Sequence, residues 1–103
     1  MGSDKENVLT AKKLQSGEVC FVQGFGQSMT PIIKSAQICE VTPVTDDMLL
    51  EKGDVVFVKV NGHYYLHKIS AIKNDQYQIS NNHGHVNGWT NRRNIYGKVT
   101  HIQ

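Results

Sequence analysis

The sequence predicts one small, mostly β domain built from hairpins, and three observations carry that reading. The chain has 103 residues, enough for one modest core. Short apolar runs, from Glu18 to Phe25, Gln37 to Val44, Val55 to Val60, His63 to Ile69 and Ile95 to Ile102, are separated by Gly-, Asn- and Asp-rich turn signals. Two of those runs flank Asn61-Gly62, the strongest short-range hairpin signal, because a type I′ turn needs positive φ at both positions.

Taken in order, residues 1–15 form a polar N-terminal arm, with Val8, Leu9, Ala11 and Leu14 spaced for a short helix. Met1-Gly2-Ser3 has the look of a tag remnant and carries no weight in the fold. Residues 16–103 form the single domain. Ser16-Gly17 is a turn, and Glu18 to Phe25 a strand. Gly24-x-Gly26 loosens the backbone before Ser28; Pro31 stops the strand, and Ile32-Ile33 fits a single helical turn beneath it. Gln37 to Val44 is β-rich, with Pro43 marking an edge or a strand end. In the hairpin, a two-residue loop sets Val60 against His63, Val58 against Tyr65 and Val56 against His67. Strand side chains alternate, so Val56, Val58, Tyr65 and His67 share one face. Lys68 falls on the other, with Val55, Phe57, Tyr64 and Leu66. Tyr77 to Ile79 is a short strand, Ser80 to Gly88 a loop, Trp89 to Asn94 a crossover, and Ile95 to Ile102 a closing strand with Val99 inward.

Composition excludes several classes. A formal charge of +2, with basic residues scattered apart from Lys12-Lys13 and Arg92-Arg93, gives no nucleic-acid stripe. Cys20 and Cys39 lie in apolar stretches and read as reduced, partly buried thiols. The first residues lack the apolar core of a signal peptide, and no run reaches the roughly 20 apolar residues of a membrane anchor. A cytoplasmic protein is expected. His83-x-His85, with no Cys or clustered carboxylate nearby, is a weak ligand set, so neither a metal nor any other cofactor is expected. The same His- and Asn-rich loop lacks the spacing of a His-Asn-His nuclease. Tyr64, Tyr65 and Trp89 read as core or rim.

The chemistry-bearing motifs are Gly26-x-Ser28-Met29-x-Pro31, Gly53-Asp54-Val55-Val56, His67-Lys68-Ile69 and Ile95-Tyr96-Gly97-Lys98-Val99. In this order they resemble the serine peptidases of the signal-peptidase and LexA-repressor class, over residues from about Phe21 to His101. The resemblance implies a small β-barrel-like domain in which Ser28 attacks a peptide carbonyl and the base sits on the second hairpin strand. That base is lysine in the bacterial and repressor branches. His67-Lys68-Ile69 looks like the histidine branch, found in the endoplasmic-reticulum and archaeal signal peptidases, with Ser28 and His67 as the catalytic pair in hydrogen-bond reach. Neutral imidazole is a competent base near its ordinary pKa of about 6.5. The resemblance further implies an oxyanion hole of backbone N–H groups at Ser28 and Met29, with Gly26 and Pro31 shaping the turn. Gly26 stands where many signal peptidases have a second serine. Asn81 stands where an aspartate would orient the histidine.

The chain departs from the class elsewhere. Lys34-Ser35-Ala36-Gln37 replaces the Gly-Asp that usually follows the serine box, and no Ala-Gly or Cys-Gly dipeptide offers a self-cleavage site. The expected function is a soluble, stand-alone serine peptidase acting on an extended peptide or protein segment through a Ser28/His67 dyad. The alternative is a catalytically degenerate binding or regulatory module, of the kind a phage or mobile element encodes, which captures an extended segment of a partner. A nucleic-acid-binding β-barrel is a distant third, and a homodimer is left open.

Overall fold

Each apolar run pairs with a neighbour to give one antiparallel sheet. The computed structural model describes residues 1–103. It contains helix α1 (Asp4–Gln15) and strands β1 (Cys20–Gln23), β2 (Ile38–Pro43), β3 (Val55–Val60), β4 (His63–Lys73), β5 (Gln76–Ser80), β6 (Val86–Asn91) and β7 (Ile95–Ile102), with a 3-10 turn at Arg92–Asn94. The sheet order is β1-β2-β7-β3-β4-β5-β6. The central hairpin has the expected turn, with φ of 50° at Asn61 and 83° at Gly62. Its register is Val60 to His63, Val58 to Tyr65 and Val56 to His67, which puts His67 and Lys68 on opposite faces.

The sheet curls into a half-barrel. Thr90 of β6 donates its hydroxyl to the Lys59 carbonyl of β3 at 3.1 Å, although two strands separate β6 from β3 in the sheet. Val56, Val58, Val60, Ile69, Tyr77 and Ile79 fill the inside of that curl. A second core lies on the opposite face, where Ala11 and Leu14 of α1 cover Val22, Val41, Phe57 and Leu66. β3 is therefore buried on both sides, which is why Val55-Val56-Phe57-Val58 is apolar without alternation.

The stretch read as an arm or short helix is helical, and its apolar residues belong to the core. Ser3 Oγ caps it by accepting from the Glu6 amide at 3.2 Å, while Asp4 and Glu6 at its start and Lys12 and Lys13 at its end complement the helix dipole. No helix is long and apolar enough to cross a membrane. β4 runs on past Ile69 to Lys73. Val86–Asn91 is a strand where the sequence suggests loop and crossover. Asn87, Gly88 and Asn91 are poor strand formers, and only pairing with β5 and the return to β3 make this segment extended.

Candidate active site

Ser28 sits on a turn pinned at both ends. Gly26 adopts a φ of 99°, a conformation costly for other residues, and its amide donates to Ser35 Oγ at 3.0 Å. The Ala36 amide closes the loop onto the Gly24 carbonyl at 2.7 Å. Ile33 donates to the Met29 carbonyl at 2.9 Å, closing a non-helical turn where the sequence suggests a single helical one, and of the Ile32-Ile33 pair Ile33 is buried while Ile32 is exposed. Met29 and Ile33 are buried in the core that holds Leu66 and Phe57, so two apolar anchors fix the backbone that carries Ser28. The amides of Gln27, Ser28 and Met29 donate no hydrogen bond. Consecutive free N–H groups beside a hydroxyl are the donor set an oxyanion needs.

Ser28 and His67 line one cleft of about 200 Å³, together with Gly24, Gly26, Met29 and Tyr65. No hydrogen bond joins Ser28 Oγ to the ring directly. The ring's bond is at the other nitrogen, where Nδ1 lies 2.7 Å from Asn87 Oδ1. An amide oxygen only accepts, so Nδ1 carries the proton and the Nε2 lone pair is free. Tyr65 stacks on the ring with centroids 4.9 Å apart. Burial holds the His67 pKa below the ordinary histidine value; the bond to Asn87 acts against this, and nearby His85 adds to the lowering. The imidazole is thus kept neutral, the form a general base must have.

The expectation that Asn81 orients the histidine does not fit the geometry. Asn81 Oδ1 accepts from the amides of His83 and His85 at 2.8 and 2.9 Å, so the side chain is spent inside its own turn. Asn87 meets the ring instead because of a β-bulge. β5 pairs Ile79 with Gly88 and Ser80 with Val86, which leaves Asn87 as the extra residue. A bulge re-aims the side chain it expels from the ladder. Gly88, glycine inside a strand, is the signal that could have found it. Its φ is 142°, and a Cβ there would lie 3.0 Å from Asn61 Nδ2 and 3.1 Å from Val60 Cγ1. The Asn61 side chain in turn donates to the Asn87 carbonyl at 3.4 Å, so the hairpin turn helps to place the residue that holds the His67 ring.

Lys68 points away from the cleft and donates to Asn82 Oδ1 at 3.1 Å. His83 Nε2 engages the Gln27 carbonyl at 2.8 Å and Thr30 Oγ1 at 3.1 Å. Cys20 and Cys39 are buried free thiols, and burial raises both pKa values, leaving them protonated and unreactive. β4 has one more feature beside the cleft. It pairs with β5 only from Lys68 onward, so Tyr64 to His67 have a neighbour on the β3 side alone. By antiparallel alternation from a two-residue turn, the N–H and C=O groups of Tyr64 and Leu66 face that open edge.

No curated protein and no solved structure matches the chain. The family model for Peptidase S24-like proteins matches residues 3–100. That span runs from the cap of α1 into β7 and takes in the serine turn, the cleft and the β4 strand with its imidazole. The chain belongs to the Peptidase S24-like family.

Proposed function

We propose that this domain is a serine peptidase in which Ser28 is the nucleophile and His67 the general base, acting on an extended peptide segment. One observation carries the reading: a serine hydroxyl, unbonded backbone amides and an imidazole with a free Nε2 lone pair border the same cleft. Nε2 takes the Ser28 proton as Oγ attacks the carbonyl carbon. The oxyanion is met by the Ser28 and Met29 amides. His67 then returns the proton to the leaving amine, and water, activated by the same nitrogen, releases the acyl group. The substrate adds a strand along the open edge at Tyr64 and Leu66, which delivers its scissile bond to Ser28. A histidine base is the choice of the endoplasmic-reticulum and archaeal signal-peptidase branch rather than of the repressors. Two protonated, buried thiols suit a reducing compartment such as the cytoplasm.

The test is covalent labelling. A fluorophosphonate probe attached to intact protein, read by mass spectrometry, is expected to modify Ser28 alone. Ser28→Ala should abolish the adduct, and His67→Ala should slow it by about 10²–10⁴-fold. A second reading, a module that binds an extended segment without cutting it, draws on the neutral amide that faces His67 in place of a carboxylate. It wins if no probe labels Ser28 while Ser28→Ala still binds peptides that compete at the open edge.

A further inference from the structure

The turn from Asn81 to His85 reaches across to the serine turn and grips its carbonyls one after another. The Asn82 amide donates to the Ser28 carbonyl at 2.8 Å. Asn82 Nδ2 donates to the Thr30 carbonyl at 2.8 Å. His83 Nε2 donates to the Gln27 carbonyl at 2.8 Å. Both elements are pre-set for this. Asn81 Oδ1 folds the turn by accepting the His83 and His85 amides, and Lys68 Nζ fixes the Asn82 amide plane by donating to Oδ1 at 3.1 Å. Asn82 has donor and acceptor both satisfied, so its orientation is determined.

Peptide geometry carries this grip to the amides. The peptide bonds on either side of Ser28 are trans. In a planar trans unit the carbonyl and the following N–H point in opposite directions. Holding the Gln27 carbonyl toward His83 turns the Ser28 N–H away from it, and holding the Ser28 carbonyl toward Asn82 does the same for Met29 N–H. These are the two free amides that the proposed reaction uses. We propose that Asn82 and His83 are positioning residues that aim the Ser28 and Met29 amides at the developing oxyanion, with Lys68 locking Asn82. The proposal rests on the reading of Ser28 as nucleophile, but the clamp itself has a signature independent of catalysis. It gives Lys68 a function although it lies on the face opposite His67.

The experiment uses the full chain and compares His83→Phe, His83→Gln, Asn82→Ala and Lys68→Met with the unmodified protein. Two quantities are read: the rate of fluorophosphonate labelling against pH, and the ¹H–¹⁵N signals and exchange rates of the Ser28 and Met29 amides. Phe keeps the ring and removes the donor, whereas Gln places an amide N–H near Nε2. His83→Phe and Asn82→Ala are expected to slow labelling by about 10²-fold, the effect of an ångström-scale misplacement. The pH midpoint should stay put, because His67 is untouched. The Ser28 and Met29 amide signals should shift, and His83→Gln should recover most of the rate. Labelling at the wild-type rate, or unmoved Ser28 and Met29 amides, in His83→Phe and Asn82→Ala overturns the proposal. Should Asn82→Ala fail to fold, Lys68→Met removes only the donor to Oδ1 and is judged by the same criteria. If the wild-type protein is not labelled at all, the peptidase reading fails, and the clamp stands or falls on the amide signals alone.

Discussion

At His67 a single hydrogen bond decides which nitrogen can act. Asn87 Oδ1 accepts the hydrogen bond of Nδ1–H at 2.7 Å and leaves the Nε2 lone pair for the proposed base role. An amide fixes the tautomer but does little for the imidazolium that forms once the proton arrives. Two outcomes follow. Asn87→Ala should slow Ser28 labelling by about 10²-fold, since an unanchored ring samples both tautomers and several orientations. Asn87→Asp should raise the midpoint of the pH–rate curve, because a carboxylate beside the ring favours its charged form. Rates measured from pH 4 to 9 on both variants check this; a midpoint in Asn87→Asp equal to that of the wild-type protein would remove Asn87 from the site. The lowered His67 pKa also makes a stability statement. The folded state binds that proton less readily than the unfolded chain. The contribution is therefore intact above the ordinary histidine range and is lost as pH falls from there toward the lower folded value.

Elements bring these residues together, and the strength of their sequence signal varies. The β3–β4 hairpin was legible because Asn61-Gly62 dictates both turn and register, so the separation of His67 from Lys68 came with it. Gly62→Val, forced to a φ of 83°, should lower stability by about 1–3 kcal/mol, measured by urea unfolding; an unchanged midpoint would mean the turn is not type I′. The serine turn was legible as a motif, and its anchors Met29 and Ile33 as apolar neighbours. β6 was not legible. Its residues have little strand preference, and a bulge breaks the alternation at the residue that matters. Motif order then pointed to Asn81, although only the fold shows that Asn81 is occupied within its own turn. The clamp from Asn82 and His83 to Gln27, Ser28 and Thr30 was equally hidden, since such contacts span more than 50 positions in sequence and leave no local pattern. Gly88→Val should both destabilise the domain and slow labelling, because a side chain there collides with Val60 and Asn61 and shifts Asn87. A variant that labels at the wild-type rate would show that the bulge does not place the base's partner.

The whole molecule has two cores on opposite faces of one curled sheet, and the site lies where their margins meet. The serine turn hangs from the core under α1 through Met29 and Ile33. The imidazole stands on the face that the other core occupies. β4 belongs to both, so the distance between Ser28 and His67, the proposed nucleophile and base, depends on how the cores pack around it. Helix α1 contributes at long range. A Cβ at Gly97 would lie 2.4 Å from Val41 Cγ1 and 3.1 Å from Leu14 Cδ2, so Gly97→Ala must push the helix or β2 outward. A loss of about 1–3 kcal/mol is expected by thermal or urea unfolding; a neutral effect would show that the layer under α1 is looser than its burial indicates. The central claim is that Ser28 is activated by a neutral, half-buried His67. Its most direct test is the pH dependence of phosphonylation at Ser28 in the wild-type protein. The account predicts one sigmoidal rise, with rate increasing with pH and a midpoint below the ordinary histidine value of about 6.5. A rise only in the alkaline range typical of lysine, or no adduct on Ser28 at any pH, would contradict it.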